Sequence, residues 1–293
     1  MQPARQAAPA QTLEDIRDLC RHDLAALDEL IHESLASDVT LVSDVAQYII
    51  TAGGKRLRPL IVLLACRALN PAAAAQDAAS RSSLKAAAII EFIHTATLLH
   101  DDVVDGSDRR RGRDTANAVF GNQASVLVGD FLYSRAFQMM VSIGDMRVMQ
   151  VLADATNTIA AGEVMQLMNV NDPDTSEDQY REVIYRKTAK LFEAGAQIAG
   201  IISGHDESVL ARLSLFGREL GTAFQLVDDA LDYSASAEEL GKNIGDDLAE
   251  GKPTLPLIHA IHHGNATQRE LIRSAIENGG VDQLPEILKA IES

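Results

Sequence analysis

Leu84-Lys85-Ala86-Ala87-Ala88-Ile89-Ile90-Glu91-Phe92-Ile93-His94-Thr95-Ala96-Thr97-Leu98-Leu99-His100-Asp101-Asp102-Val103-Val104-Asp105 is the stretch that decides how this chain folds. Its apolar residues recur three and four apart, the spacing of a helix. The same period runs through 124–143, 148–170 and 210–233, and strand-like alternation is nearly absent. The breaks carry turn chemistry, at Gly53-Gly54, Asn70-Pro71, 106–114, Asn171-Asp172-Pro173-Asp174, Gly204-His205-Asp206, 241–253 and Gly279-Gly280. The pattern predicts an all-α, single-domain bundle of about ten helices over 12–293. The Ala/Pro/Gln lead-in at 1–11 is expected to be disordered.

Composition agrees. Of 293 residues 46% are hydrophobic, enough for a substantial core, and only 4% are aromatic, with no Trp. Abundant Ala, Leu and Ile favour helix over strand. A net charge of −16 argues against a nucleic-acid partner or an anionic membrane surface, which call for clustered Lys and Arg. The apolar run 60–66 is far too short to cross a bilayer, and no transmembrane segment is expected. Cys20 and Cys66 stand singly and read as reduced thiols of a cytoplasmic protein.

The chemistry is concentrated in two acidic patterns. Asp101 and Asp105 are four apart and share one helix face, where they repel each other and also oppose the negative end of the helix dipole. Asp228-Asp229-Ala230-Leu231-Asp232 repeats the spacing within a second apolar helix. One such cluster reads equally well as a solvated helix end; two inside apolar helices point to hard-oxygen ligation of Mg²⁺, which bridges carboxylates to phosphates.

Positive charge lies where it would complete such a site, in Gly53-Gly54-Lys55-Arg56-Leu57-Arg58-Pro59, Arg109-Arg110-Arg111-Gly112-Arg113, Arg186-Lys187-Thr188, and Lys242 with Lys252. Each alone reads as a solvated basic turn. Together, in a chain of this net charge, they point to two diphosphate groups bound by Arg and Lys.

These elements, in this order, resemble the trans-isoprenyl diphosphate synthases from about Leu13 to about His263. The segment Gly241-Lys242-Asn243-Ile244-Gly245-Asp246-Asp247-Leu248-Ala249-Glu250-Gly251-Lys252-Pro253-Thr254 extends the match. Stretches 91–105, 162–169 and 185–194 are most similar to the members that build an octaprenyl chain for the quinone side chain. The resemblance implies a bundle around a central active-site cavity, and a homodimer. It implies three Mg²⁺ ions held by Asp101, Asp105 and Asp228, with Asp102 and Asp232 as helpers. Arg110, Lys187, Thr188, Gln225, Lys242 and Lys252 would bind the allylic diphosphate. Lys55, Arg58, His94 and Arg111 would bind isopentenyl diphosphate. Ala96, Thr97 and Ile93, below the first aspartates, would set product length, small side chains leaving room for a long tail. Family members usually continue through further helices beyond Ser293.

Four rivals are weaker. A shorter-chain synthase would share most of these motifs. A terpene cyclase would need no isopentenyl site, and a non-catalytic subunit would have lost acidic ligands. A di-iron bundle could use Glu29 with His32 and Glu91 with His94, the Glu-x-x-His pattern, but would leave both aspartate motifs and every basic element unexplained.

Overall fold

A computed structural model describes residues 12–70, 78–110, 112–234, 245–280 and 283–293. The expected tail at 1–11 lies outside the described residues. The helices in chain order are α1 (Leu13–Asp18), α2 (Arg21–Ser34), α3 (Thr40–Thr51), α4 (Leu57–Leu69), α5 (Ala78–Val104), α6 (Ala116–Phe120), α7 (Asn122–Ile143), α8 (Met146–Asn169), α9 (Glu177–Ile184), α10 (Lys190–Ile202) and α11 (Glu207–Ser234). After them come α12 (Asp246–Ala249), α13 (Leu255–His263), α14 (Ala266–Asn278) and α15 (Leu284–Glu292). The all-α bundle expected from the periodicity is what forms, with short turns such as α1, α6 and α12 added.

The stretch quoted above forms most of α5, and it is apolar all round because it is covered all round. Ala86 to Ile90, Phe92, Ile93, Ala96 and Leu99 are fully buried, with α2, α4, α7 and α10 packed against them. Helix α10 is a second buried rod, between α4, α5, α8 and α11. Its approach to α11 depends on two glycines one turn apart. A Cβ at Gly217 would stand 2.5 Å from the Phe192 carbonyl oxygen, and one at Gly221 2.6 Å from Ala189 Cα.

Local signals set the boundaries. Ser176 with Gln179, and Asn265 with Gln268, form reciprocal capping boxes at the starts of α9 and α14. Gly144 and Gly279 end α7 and α14 in left-handed backbone that favours glycine. Helices α12 to α15 gather a smaller apolar cluster of Leu248, Leu257, Ile272, Ile276 and Ile287 around Tyr233.

Two features depart from the sequence reading. The basic loop after the first acidic motif contains a small antiparallel hairpin, Arg109–Arg110 with Arg113–Asp114. Tyr48 of α3 pins it, donating to the Asp114 carbonyl at 2.7 Å while the Arg113 guanidinium lies 4.8 Å above its ring. Between α9 and α10 the chain also makes one π-helical turn, Tyr185–Ala189. Such widened turns often mark functional sites. Among the described residues, no helix is long and apolar enough to cross a membrane.

Candidate active site

The C-terminal thirds of α5 and α11 face each other across a cavity of about 1630 Å³. Asp101, Asp105 and Asp228 line it, as do Lys55, Arg58, His94, Thr97, Arg110, Lys187, Thr188, Gln225 and Lys252. Residues far apart in the sequence thus meet in one chamber.

On the first wall, Asp101 and Asp105 turn inward, while Asp102, on another face of α5, is fully buried behind them. Asp102 accepts Arg110 Nε at 2.8 Å and Nη2 at 2.7 Å. Burial raises its pKa, and the adjacent guanidinium opposes that rise. On the second wall, Asp229 is buried and closes a hydrogen-bonded chain. Tyr180 donates to one of its oxygens at 2.6 Å, and Gln225 Nε2 donates to the other at 2.6 Å. Gln225 Oε1 in turn accepts the Thr188 hydroxyl at 2.8 Å. Asp232 is fully buried and accepts the Asp247 backbone N–H at 3.2 Å, fastening the start of α12.

Two lysines cross between these acids. Lys187, on the π turn, donates to Glu163 at 2.6 Å and Gln166 at 2.6 Å and lies 3.5 Å from Asp101. Burial pushes the Glu163 carboxyl up to about 7 although Lys187 pulls the other way. Lys252 bonds Asp105 at 2.8 Å and Glu250 at 2.5 Å. Its burial works against the charged form, but the two carboxylates outweigh it and raise the pKa.

The remaining cations stand apart from the aspartates. Arg58 Nη1 lies 3.1 Å from His94 Nε2, and its guanidinium sits 4.6 Å above the Phe192 ring. Phe192 in turn packs on Phe224 with centroids 5.7 Å apart. The chamber therefore has one basic cluster woven into its facing aspartates and a second, around the start of α4 and mid-α5, that stands apart from them.

Among the described residues, no three His, Cys, Asp or Glu side chains converge closely enough to hold a metal by themselves. Carboxylates arrive from two walls, and Glu163 Oε1 is buried with no hydrogen-bond partner among the described residues. That donor set suits a hard cation that takes one or two carboxylates and completes its shell with water and phosphate oxygens. It does not reproduce the di-iron pattern: Glu91 and His94 line the chamber, and Glu29 and His32 do not.

A model of polyprenyl synthetase matches residues 39–291. The chain belongs to that family. Octaprenyl diphosphate synthase of Escherichia coli (strain K12) is 56% identical over 282 residues, covering 96% of this chain and 85% of that protein. An all-trans-nonaprenyl-diphosphate synthase (geranyl-diphosphate specific) of Rhodobacter capsulatus is 46% identical, covering 96% and 84%. The crystal structure of a polyprenyl synthase from Caulobacter crescentus CB15, complexed with calcium and isoprenyl diphosphate, superposes with a TM-score of 0.90. It is 42% identical, covering 98% of this chain and 86% of that one. The chain is accordingly a trans-prenyltransferase.

Within this polyprenyl synthetase the expected residues divide. Asp101, Asp105, Asp228, Lys55, Arg58, His94, Arg110, Lys187, Thr188, Gln225, Lys252 and Thr97 share the cavity wall. Asp102 and Asp232, expected as helpers at the metals, instead lie behind it, the helical turn aiming them at Arg110 and at the start of α12. Ala96 and Ile93 are fully buried in the apolar core and are not cavity-lining; only Thr97 of that trio is. Arg111 and Lys242 lie outside the described residues. Sequence reasoning missed Glu163, Gln166, Tyr180 and Glu250. Gly162 was the available signal for the first two. A Cβ there would lie 2.6 Å from Arg186 Cβ, so the glycine lets α8 bring its next residues against Lys187.

Proposed function

We propose that this enzyme lengthens an allylic diphosphate, farnesyl diphosphate, by successive additions of isopentenyl diphosphate to about an octaprenyl chain, which serves as a quinone side chain. The observation that carries the proposal is the pair of basic clusters in one chamber, only one of which is interwoven with facing aspartates. Two anionic substrates thereby have two distinguishable seats. Lys187, Thr188, Gln225, Lys252 and Arg110, with Lys242, orient the allylic diphosphate between the aspartate walls. Lys55, Arg58 and His94, with Arg111, hold isopentenyl diphosphate, His94 standing about two turns before Asp101 on α5.

Three Mg²⁺ ions held by Asp101, Asp105 and Asp228 would neutralise the charge that grows on the departing diphosphate. The alkene of the isopentenyl group attacks the allylic carbon so exposed, and a proton then leaves to the released diphosphate, so no protein base is assigned. Leu98, Ile159, Leu191 and Phe224 line the cavity with apolar surface that keeps water from the cation. The tail runs down α5 past Thr97, with Ala96 and Ile93 behind it setting how closely neighbouring helices approach.

The acting unit is a homodimer in the cytoplasm. Helix α7 buries Val128, Leu132, Ala136 and Met140 in the core, yet it leaves Leu127 at 66%, Phe137 at 39% and Val141 at 67% exposed on its other side. An apolar face of that kind fits a second copy. The deciding experiment incubates the protein with farnesyl and isopentenyl diphosphates, with Mg²⁺ and after chelation, and resolves products by length. Mg²⁺-dependent accumulation of products near octaprenyl length is the expected outcome; an exclusively fifteen- or twenty-carbon product would favour the shorter-chain alternative.

A further inference from the structure

Arg56 is unusual in this structure. Apart from Asn171 it is the one described non-glycine residue with positive φ, at 49°. Left-handed backbone costs an L-residue free energy and persists where the surroundings over-determine it. It also places Arg56 at the start of α4, between Lys55 and Arg58, so three cations crowd into four residues.

What over-determines it is visible. The Arg56 side chain is mostly buried and pairs with Glu91 on α5, with its Nη2 3.3 Å from the Ile50 carbonyl and its Nε 3.8 Å from Asp28. Glu91 is itself buried, within a stretch of α5, 86–93, otherwise of Ala, Ile and Phe, where an unpaired carboxylate is costly. Arg17 adds a second tether, donating from Nη1 to the Lys55 carbonyl at 2.8 Å. Glu91 lies one turn before His94, the residue that meets Arg58. One ion pair therefore couples the backbone bearing Lys55 and Arg58 to the helix bearing His94.

We propose that Arg56 and Glu91 are positioning residues for the isopentenyl diphosphate seat, fixing how Lys55, Arg58 and His94 converge and supplying the counter-charge that lets these cations gather. This rests on the assignment of that seat to Lys55, Arg58 and His94. Glu91 needs no contact with substrate; it acts through Arg56 and through the helix it shares with His94. Because the pair lies on one side of the chamber, its loss disturbs one substrate and spares the other. A merely structural pair would lower stability and leave both Michaelis constants alike.

The test measures KM for isopentenyl and for allylic diphosphate, together with kcat, in Glu91→Gln, Arg56→Lys and, as the control for the seat, Arg58→Ala. Glu91→Gln keeps the shape and removes the charge; the expected result is a rise in isopentenyl KM of about tenfold, with allylic KM and kcat within about twofold, the signature of lost uniform binding. Arg56→Lys keeps charge and loses the fork, and an intermediate rise of about threefold is expected; it carries the test alone if Glu91→Gln does not fold. If Arg58→Ala raises isopentenyl KM while neither pair variant does, or if both substrates are affected equally, the positioning role is overturned. If Arg58→Ala itself leaves isopentenyl KM unchanged, the seat is wrongly assigned and the inference falls with it.

Discussion

Gly221→Ala isolates the contact that holds the second acidic wall against the π turn. A methyl group there would sit 2.6 Å from Ala189 Cα, 3.0 Å from Phe192 Cδ2 and 3.1 Å from Ala189 Cβ. Ordinary contact begins near 3.4 Å, so α11 and the π turn must separate by about 0.8 Å, and the nearest atom is backbone that cannot rotate aside. Two effects compete. Alanine is the better helix former by up to about 1 kcal/mol. Overpacking a filled interface costs about 1–3 kcal/mol. The second dominates, leaving a net loss of up to about 2 kcal/mol and a melting temperature several degrees lower. The same displacement would stretch the Thr188–Gln225 bond from 2.8 Å to about 3.6 Å, beyond hydrogen-bonding range. Misplacement near 1 Å can cost about 10²-fold in rate. Thermal melts followed by far-UV circular dichroism, with kcat/KM for each substrate, read both consequences, and the allylic substrate should suffer more. A Gly221→Ala protein that melts and turns over like the parent would show that the close approach is not needed and would refute this reasoning.

Replacing Asp101 or Asp228 by Ala removes one inward carboxylate from either wall; turnover should fall by orders of magnitude with helical content unchanged, and near-normal turnover at limiting Mg²⁺ would contradict their assignment as ligands. Lys187→Ala should weaken the allylic substrate by roughly 1.5–3 kcal/mol and leave isopentenyl KM close to that of the parent, the reverse of Arg58→Ala. Thr97→Phe places a ring directly in the cavity, and Ala96→Tyr forces one in from behind it; both should shorten the products while sparing ionisation, and unchanged chain length in a folded variant would remove α5 from length control. Tyr180→Phe takes one hydrogen bond from buried Asp229, so its allylic KM should rise with isopentenyl KM unaffected.

How much of this was readable beforehand follows from the range of each interaction. The helical period of 84–104 and the spacing of Asp101 to Asp105 are local, and both led to the right element and the right inward face. Spacing alone could not say which face of α5 Asp102 would take. That depends on Arg110 returning through a hairpin held by Tyr48, a contact across 66 positions. Lys187 was expected from its neighbours Arg186 and Thr188, but Glu163 and Gln166, which receive it, stand 24 and 21 positions earlier on another helix. The π turn left no pattern, since one residue inserted in a helix changes the period over too few positions to register. Arg56 looked like one more solvated cation until Glu91 appeared opposite it, because pairing between segments is a property of packing.

Lys187 and Lys252, each already held by the chamber's carboxylates, give the site one further property. A diphosphate that draws either lysine to itself frees a carboxylate in the same movement, so an arriving anion creates the vacancy a cation fills. Anion and cation binding would then be linked, each strengthening the other by the same factor. Under the proposed function, such an exchange would let a diphosphate and its counter-cations enter together in a chain of net charge −16.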